Sequence, residues 1–276
     1  MRIFCIDIGN TRTHCAAVDC PDAFGFDVAS GCAGAPCNGL PAEPECYRIE
    51  ARADYPSDRF ADIFCEKNLC AGADAVSWCS VVPKFSKALE GKMGKGLDTM
   101  QLTFERSPIP LDIDFPQTLG QDRIADAVGA GVFMRPPYLV VDMGTAVTID
   151  LVDKNGRYAG GAIAPGMDAF SQYLSTRTAQ LPPINPAEAD CGLVIGKNTV
   201  EAMYVGCAKG FCRLIDGLIA DIEMEYFGGE SAQSKTMFTG GSVSLLPKEW
   251  VGARMVNRDL AFIGLAKSFL IDRKKI

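Results

Sequence analysis

The stretch Asp7-Ile8-Gly9-Asn10-Thr11 ends an apolar run, "IFCI", on a carboxylate, a glycine, an amide and a hydroxyl. That order of residue types suits an anion. Glycine lets the backbone approach a ligand closely, and a turn that aims several N–H groups one way forms an anion-binding nest. The amide of Asn10 and the hydroxyls of Thr11 and Thr13 add donors. Asp7 repels a phosphate, but it can hold a metal ion, or a metal-bound water, beside one. The same residues also make a plain hairpin turn with Gly and Asn at its tip. A second copy favours the phosphate reading. "YLVVDMGTA" (138–146) repeats the pattern of "IFCIDIGNT" (3–11), and Asp142 follows Asp7 by almost half of the 276 residues. Self-similarity at that spacing predicts two copies of one fold, each opening on a hairpin whose turn carries the motif.

A second constellation is "LGQDRIADA" (119–127), with Asp122 and Arg123 just before a helical pattern. A helix N-terminus favours carboxylates and anions. Asp122 could take a proton from an attacking alcohol, and Arg123 could orient an anionic group through its fork. On the tripeptide alone, ordinary helix capping by Asp122 is the simpler account. Other nucleotide signatures are absent. The three Gly-Lys dipeptides are followed by Met, Gly and Asn, so there is no P-loop, and no G-x-G-x-x-G occurs.

The elements that must position these residues follow from periodicity and turn chemistry. Strands are expected at 3–8 and 13–18, then an irregular Cys-, Pro- and Gly-rich excursion at 20–45. Helical spacing covers 57–70 and 84–93, with a strand at 75–83 between them. Three prolines extend 107–118, and 120–134 runs from a loop into a helix. A strand, tight turn and strand fill 137–153, a long helix 196–227, a strand and glycine turn 234–246, and a closing helix 258–271. The expected class is α/β, with an N-terminal lobe at 1–134 and a C-terminal lobe at 135–276.

Composition narrows the function. The net charge is −7, from 27 basic and 34 acidic residues, with no long basic tract, which argues against nucleic acid as the main partner. No segment is long and apolar enough to read as a membrane span, and the N-terminus lacks a signal-type apolar run, so a cytoplasmic protein is expected. Twelve cysteines then read as reduced thiols. Four pairs have C-x4-C spacing (15/20, 32/37, 65/70 and 207/212), within the loose range for zinc ligands. Buried or surface thiols are the simpler account, and the region of Cys32, Cys37 and Cys46 is where a metal would sit if one does. His14 is the single histidine.

Several motifs together resemble one family. They are "DIGNT" (7–11), "SVVP" (80–83), "LGQDR" (119–123), "VVDMGTAVTID" (140–150), "GGAIAPGMDAF" (160–170), "STRTAQLP" (175–182), "IGKNTVEAM" (195–203) and "TGG" (239–241), in that order. The chain is similar to type III pantothenate kinases, from residue 1 to about 270. The resemblance implies two duplicated actin/hexokinase-like (ribonuclease H-like) lobes, each a mixed sheet flanked by helices. It implies ATP-dependent phosphorylation of pantothenate, the first step towards coenzyme A, with magnesium accompanying the ATP. By motif, Asp7, Ile8, Gly9, Asn10, Thr11, Arg12, Thr13, His14 and Thr145 would line the ATP. Asp7 would reach magnesium through water. Gly120, Gln121, Asp122 and Arg123 would form the pantothenate loop, with Asp122 the general base. Asp142 would help hold a monovalent cation, potassium or ammonium. Thr199 would reach pantothenate across the interface of a homodimer.

The chain departs from the family pattern at Ile113, where a substrate-contacting tyrosine is usual, in the charge that Arg12 and His14 bring to the first turn, and in the length of the 20–45 excursion. "GGAIAPG" (160–166) reads as close packing beside the cleft, while "TGGS" (239–242) suits either an adenosine contact or a plain turn. Two other functions stay open: a kinase of this fold acting on another small alcohol, and a regulatory relative with little turnover. A zinc-binding structural protein, resting only on cysteine spacing, is a distant third.

Overall fold

The computed structural model describes residues 1–20, 47–94, 96–190, 192–228, 235–252 and 254–274. Apart from Cys20, the Cys-rich excursion and its candidate ligands Cys32, Cys37 and Cys46 lie outside the described residues. The chain forms two compact units, Met1–Arg135 with Asp259–Ile276, and Pro136–Arg258.

In the first unit, β1 (Arg2–Ile8) alternates its side chains between two faces. Phe4, Ile6 and Ile8 share one face, and Ile3, Cys5 and Asp7 the other. β1 pairs antiparallel with β2 (Arg12–Asp19), which pairs antiparallel with β3 (Arg48–Pro56). On its other side β1 runs parallel to β4 (Ala75–Ser80), which runs parallel to β5 (Asp98–Gln101), giving the order β3-β2-β1-β4-β5. The Phe4 face is covered by α1 (Phe60–Glu66) and α2 (Pro83–Glu90), whose Phe60, Phe64 and Leu89 pack with Val76 and Trp78. The strands also contact α8 (Leu260–Lys274), and β4 contacts α3 (Gln121–Ala130).

Helices α3 and α8 meet backbone to backbone. A Cβ on Gly264 would fall 1.8 Å from the Ala125 carbonyl oxygen, and one on Gly129 would fall 2.1 Å from that of Leu260. Ser77 Oγ donates to the Leu265 carbonyl at 2.8 Å, and the Arg273 guanidinium pairs with Asp98. These contacts attach the closing helix to the first unit and not to the C-terminal lobe expected over 135–276.

In the second unit, β6 (Tyr138–Met143), β7 (Ala146–Val152) and β8 (Tyr158–Pro165) form an antiparallel meander. β9 (Thr236–Thr239) and β10 (Met255–Val256) add parallel strands, giving β10-β9-β6-β7-β8. The connectivity of the first sheet is thus repeated, as the duplicated Asp-x-Gly motif predicts. Leu139, Val141, Met143, Val147 and Ile149 pack against Phe211 and Ile215 of α6 (Gly210–Tyr226). Around this core lie α4 (Met167–Arg177), α5 (Thr199–Met203) and α7 (Lys248–Val251). The helix expected over 196–227 begins at Thr199 and passes through a π-helical stretch, Tyr204–Lys209, between α5 and α6.

Candidate active site

In the first unit the β1–β2 turn is tight: Gly9 N–H donates to the Arg12 carbonyl at 3.0 Å, and a Cβ on Gly9 would lie 2.9 Å from that oxygen. Asn10, Thr11 and Arg12 are exposed at its tip. Ile8 and Thr13, also expected at the ATP, face inward. Ile8 belongs to the core, and the fully buried Thr13 donates its hydroxyl to Ser57 Oγ at 3.0 Å. His14 lies one residue further on and is exposed, with Nδ1 2.6 Å from Asp54 Oδ1 on β3.

Strand parity turns Asp7 away from that core. Its register partner on β4 is Cys79, whose thiol donates to Asp7 Oδ1 at 3.3 Å. Burial pushes the Cys79 thiol well above its ordinary pKa, and the charges of Asp7, Asp122 and Asp126 push it further. Asp7 thus contacts a buried, proton-bearing thiol that also feels the charges of Asp122 and Asp126. Asp122 stands in the first turn of α3, and Asp126, one turn later, lies on the same side of that helix. Asp122 Oδ1 accepts from Arg123 N–H at 2.8 Å and would lie 2.4 Å from a Cβ on Gly120, so this carboxylate orientation uses the space that glycine leaves. The Gln121 carboxamide oxygen accepts from Ser80 N–H at 3.0 Å, which ties the start of α3 to the end of β4. Burial raises the Asp7 carboxyl, and His14 and the Cys79 hydrogen bond offset part of that rise. A carboxyl raised by burial beside other charged groups is a candidate functional group.

Ser57, Cys79 and Asp126 are not among the residues expected from the sequence. The parity of "WCS" alongside "IDI" and the four-residue spacing from Asp122 to Asp126 were the available signals.

In the second unit the β6–β7 turn carries Gly144 and the exposed Thr145, and Gly144 N–H donates to the Ala146 carbonyl at 2.9 Å. Two glycine segments pack against it. Gly166 N–H donates to the Thr145 carbonyl at 3.0 Å, and a Cβ on Gly166 would lie 2.3 Å from the Gly144 oxygen. Gly240, at φ +91°, leaves room where a Cβ would fall 2.4 Å from Asp142 Oδ1. Ser242 Oγ donates to the Gly144 carbonyl at 3.4 Å. "GGAIAPG" and "TGGS" thus both brace the second turn.

Thr199 opens α5, where Asn198 accepts from Glu201 N–H at 2.9 Å while the Glu201 carboxylate accepts from Lys197 N–H at 2.7 Å. This reciprocal capping holds Thr199 exposed on an apolar groove of about 760 Å³, lined by Phe170, Tyr173, Leu174 and Met203 among others. Pro165, on the same groove, is the register partner of Ala146 beside the second turn. No group of three or more His, Cys, Asp or Glu side chains arranged for a metal occurs among the described residues. Cys15, Cys20, Cys207 and Cys212 are buried and form no disulfide.

The family profile described as type III pantothenate kinase matches residues 3–221. The chain belongs to the type III pantothenate kinase family. A relative named type III pantothenate kinase from Akkermansia muciniphila is 35% identical over 224 residues, covering 80% of this chain and 87% of that protein. Another of that name, from Desulfotalea psychrophila, is 30% identical over 257 residues, covering 88% of each.

Solved structures extend the likeness to the fold. A Campylobacter jejuni protein assigned to the Baf family of transcriptional activators superposes with a TM-score of 0.62 at 18% identity, over 98% of this chain and 99% of that one. A Listeria monocytogenes protein assigned as an N-acetylmannosamine kinase gives 0.52 at 12% identity, over 99% and 100%. The type III pantothenate kinase chain therefore has the actin/hexokinase-like fold, with the motif "DIGNT" on its first hairpin and "DMGTA" on its second.

Proposed function

We propose that this chain transfers the γ-phosphoryl group of ATP to the terminal hydroxyl of pantothenate, the first step towards coenzyme A. The observation that carries the reading is that Asp7 bonds to Cys79 at the end of β4 while Gln121, the neighbour of Asp122, bonds to the adjacent Ser80, so the two carboxylates belong to one part of the first unit. It pairs a carboxylate suited to a hydrated cation with one suited to a substrate hydroxyl. Asp122 accepts the hydroxyl proton, the freed oxygen bonds to the γ-phosphorus, and the bond from that phosphorus to the β,γ-bridging oxygen breaks, releasing ADP. Arg123 orients the carboxylate of pantothenate. Backbone N–H groups of Asn10 and Arg12 and the Thr11 hydroxyl receive phosphate oxygens. Phosphoryl transfer asks little covalent chemistry of the protein, so positioning and charge balance do most of the work.

Cations fit this chain's donors. Asp7 and Asp142 offer carboxylate oxygens, the ligands that magnesium and potassium prefer, and Gly240 leaves beside Asp142 a space that a Cβ would fill. Asp7 would hold magnesium, which would supply charge neutralisation on the phosphates. Asp142 would hold the monovalent cation, and Thr145 would receive a phosphate oxygen. The exposed apolar residues Tyr173, Val194, Ile195 and Val200, near or next to Thr199, support a homodimer in which Thr199 meets pantothenate in the partner's site. No helix among the described residues is long and apolar enough to cross a membrane, and we place the enzyme in the cytoplasm.

The test is ATP-to-ADP turnover with magnesium and potassium, with and without pantothenate, beside Asp122→Asn. ADP formation should depend on pantothenate and fall about 10²- to 10⁴-fold in the variant. Folded protein that binds ATP yet makes no pantothenate-dependent ADP would sink the substrate; undiminished turnover in Asp122→Asn would sink the base.

A further inference from the structure

We propose that Ser57 is a positioning residue for the nucleotide turn: it holds the carbonyls of Gly9 and Thr11 from behind and so aims the next two amides at the phosphates. The inference deepens the proposed function and rests on its reading of Gly9–Thr13 as the phosphate turn.

Ser57 follows Pro56, the last residue of β3, and begins the short 3-10 turn that leads into α1. It is 3% exposed. Three hydrogen bonds run from it to the β1–β2 turn. Its N–H donates to the Thr11 carbonyl at 3.2 Å, its Oγ donates to the Gly9 carbonyl at 2.8 Å, and its Oγ accepts from Thr13 Oγ1 at 3.0 Å. One residue thus gathers the first and fifth residues of the turn through its side chain and the third through its backbone N–H.

Peptide planarity turns these contacts into an aim. In a trans peptide the carbonyl of one residue and the N–H of the next point in opposite directions. Fixing the Gly9 and Thr11 carbonyls on Ser57 therefore directs the N–H groups of Asn10 and Arg12 away from it, towards the side where Asn10, Thr11 and Arg12 are exposed. Two parallel amides on one surface are the elements of an anion nest. The fully buried Thr13 hydroxyl acts from the rear of this assembly, which explains why a residue expected at the phosphates does not reach the surface.

The experiment uses the full chain with Ser57→Ala, Ser57→Thr and Gly9→Ala. Binding of magnesium and a non-hydrolysable ATP analogue is measured by calorimetry without pantothenate, alongside steady-state KM values for both substrates. Ser57→Ala should weaken analogue binding roughly tenfold and raise the KM for ATP in step, leave the KM for pantothenate within about twofold, and recover in Ser57→Thr. A merely structural role would lower thermal stability without separating the two KM values. Unchanged analogue affinity in Ser57→Ala, with clear weakening in Gly9→Ala, would overturn the clamp while leaving the turn assignment standing. Unchanged affinity in both would overturn the turn assignment and the clamp with it. If Ser57→Ala does not fold, Thr13→Val breaks one of the same bonds from the other side and should weaken the analogue in the same direction. Failure of both to fold would make Ser57 a residue of the fold alone and end the proposal.

Discussion

Asp7, Cys79, Asp122 and Asp126 come together because alternate positions of a strand face opposite ways and positions four apart on a helix share a side. Cys79 has no assigned chemistry in phosphoryl transfer, yet it supplies the hydrogen bond that orients Asp7, and burial keeps its proton in place. A different carboxylate, Asp153, shows how single residues set stability. Its oxygens accept from the N–H groups of Asn155 and Arg157 and from the Arg157 guanidinium at 2.8–3.0 Å. Burial alone would raise its pKa, but the bonds from Arg157 and Asn155 outweigh burial and hold it below the usual carboxylate value. A depressed folded-state pKa contributes stability above the unfolded value, near pH 4, and loses it as pH falls through the folded one. Asp153→Asn should therefore cost about 1–2 kcal/mol at pH 7. Thermal unfolding across pH should show the gap between variant and parent closing below pH ~4.

Among the helices, α3 and α8 make the tightest described contact, and it depends on two glycines. The atom facing the missing Cβ of Gly264 is a backbone carbonyl 1.8 Å away, which cannot rotate aside. Gly264→Val should force α3 off α8, lower stability by about 3 kcal/mol or more, and reduce turnover, because α3 carries Asp122. Gly217, exposed on α6 with nothing within 4 Å of its missing Cβ, makes the opposite case. Gly217→Ala should raise stability by roughly 0.5–1 kcal/mol with turnover unchanged, since only the unfolded chain loses freedom. Denaturant unfolding of the two variants beside the parent checks both signs.

For the molecule as a whole, the duplicated connectivity of the two sheets supports one ancestral hairpin motif used twice, and the proposed assembly is a homodimer. Sedimentation should give twice the 29.6 kDa chain mass. Ile195→Asp, at a position 74% exposed and four residues before Thr199, should shift the species to the monomer and raise the KM for pantothenate more than that for ATP. A monomeric parent with full activity would remove the dimer from the mechanism.

Both hairpin turns were legible because their signals are local: an apolar run, an aspartate and a glycine within a few residues, repeated once. The ordered motifs carried the family and the two-lobe architecture for the same reason. Strand β3 was not legible, since an edge strand alternating charged and small residues, with Ala51 at φ 52°, lacks a clear apolar period. The place of α8 in the first unit, the inward turn of Ile8 and Thr13, the thiol beside Asp7 and the Ser57 clamp were decided only by the fold. Each depends on which segments distant in the chain come to lie side by side, and composition and spacing along one segment carry no record of that pairing.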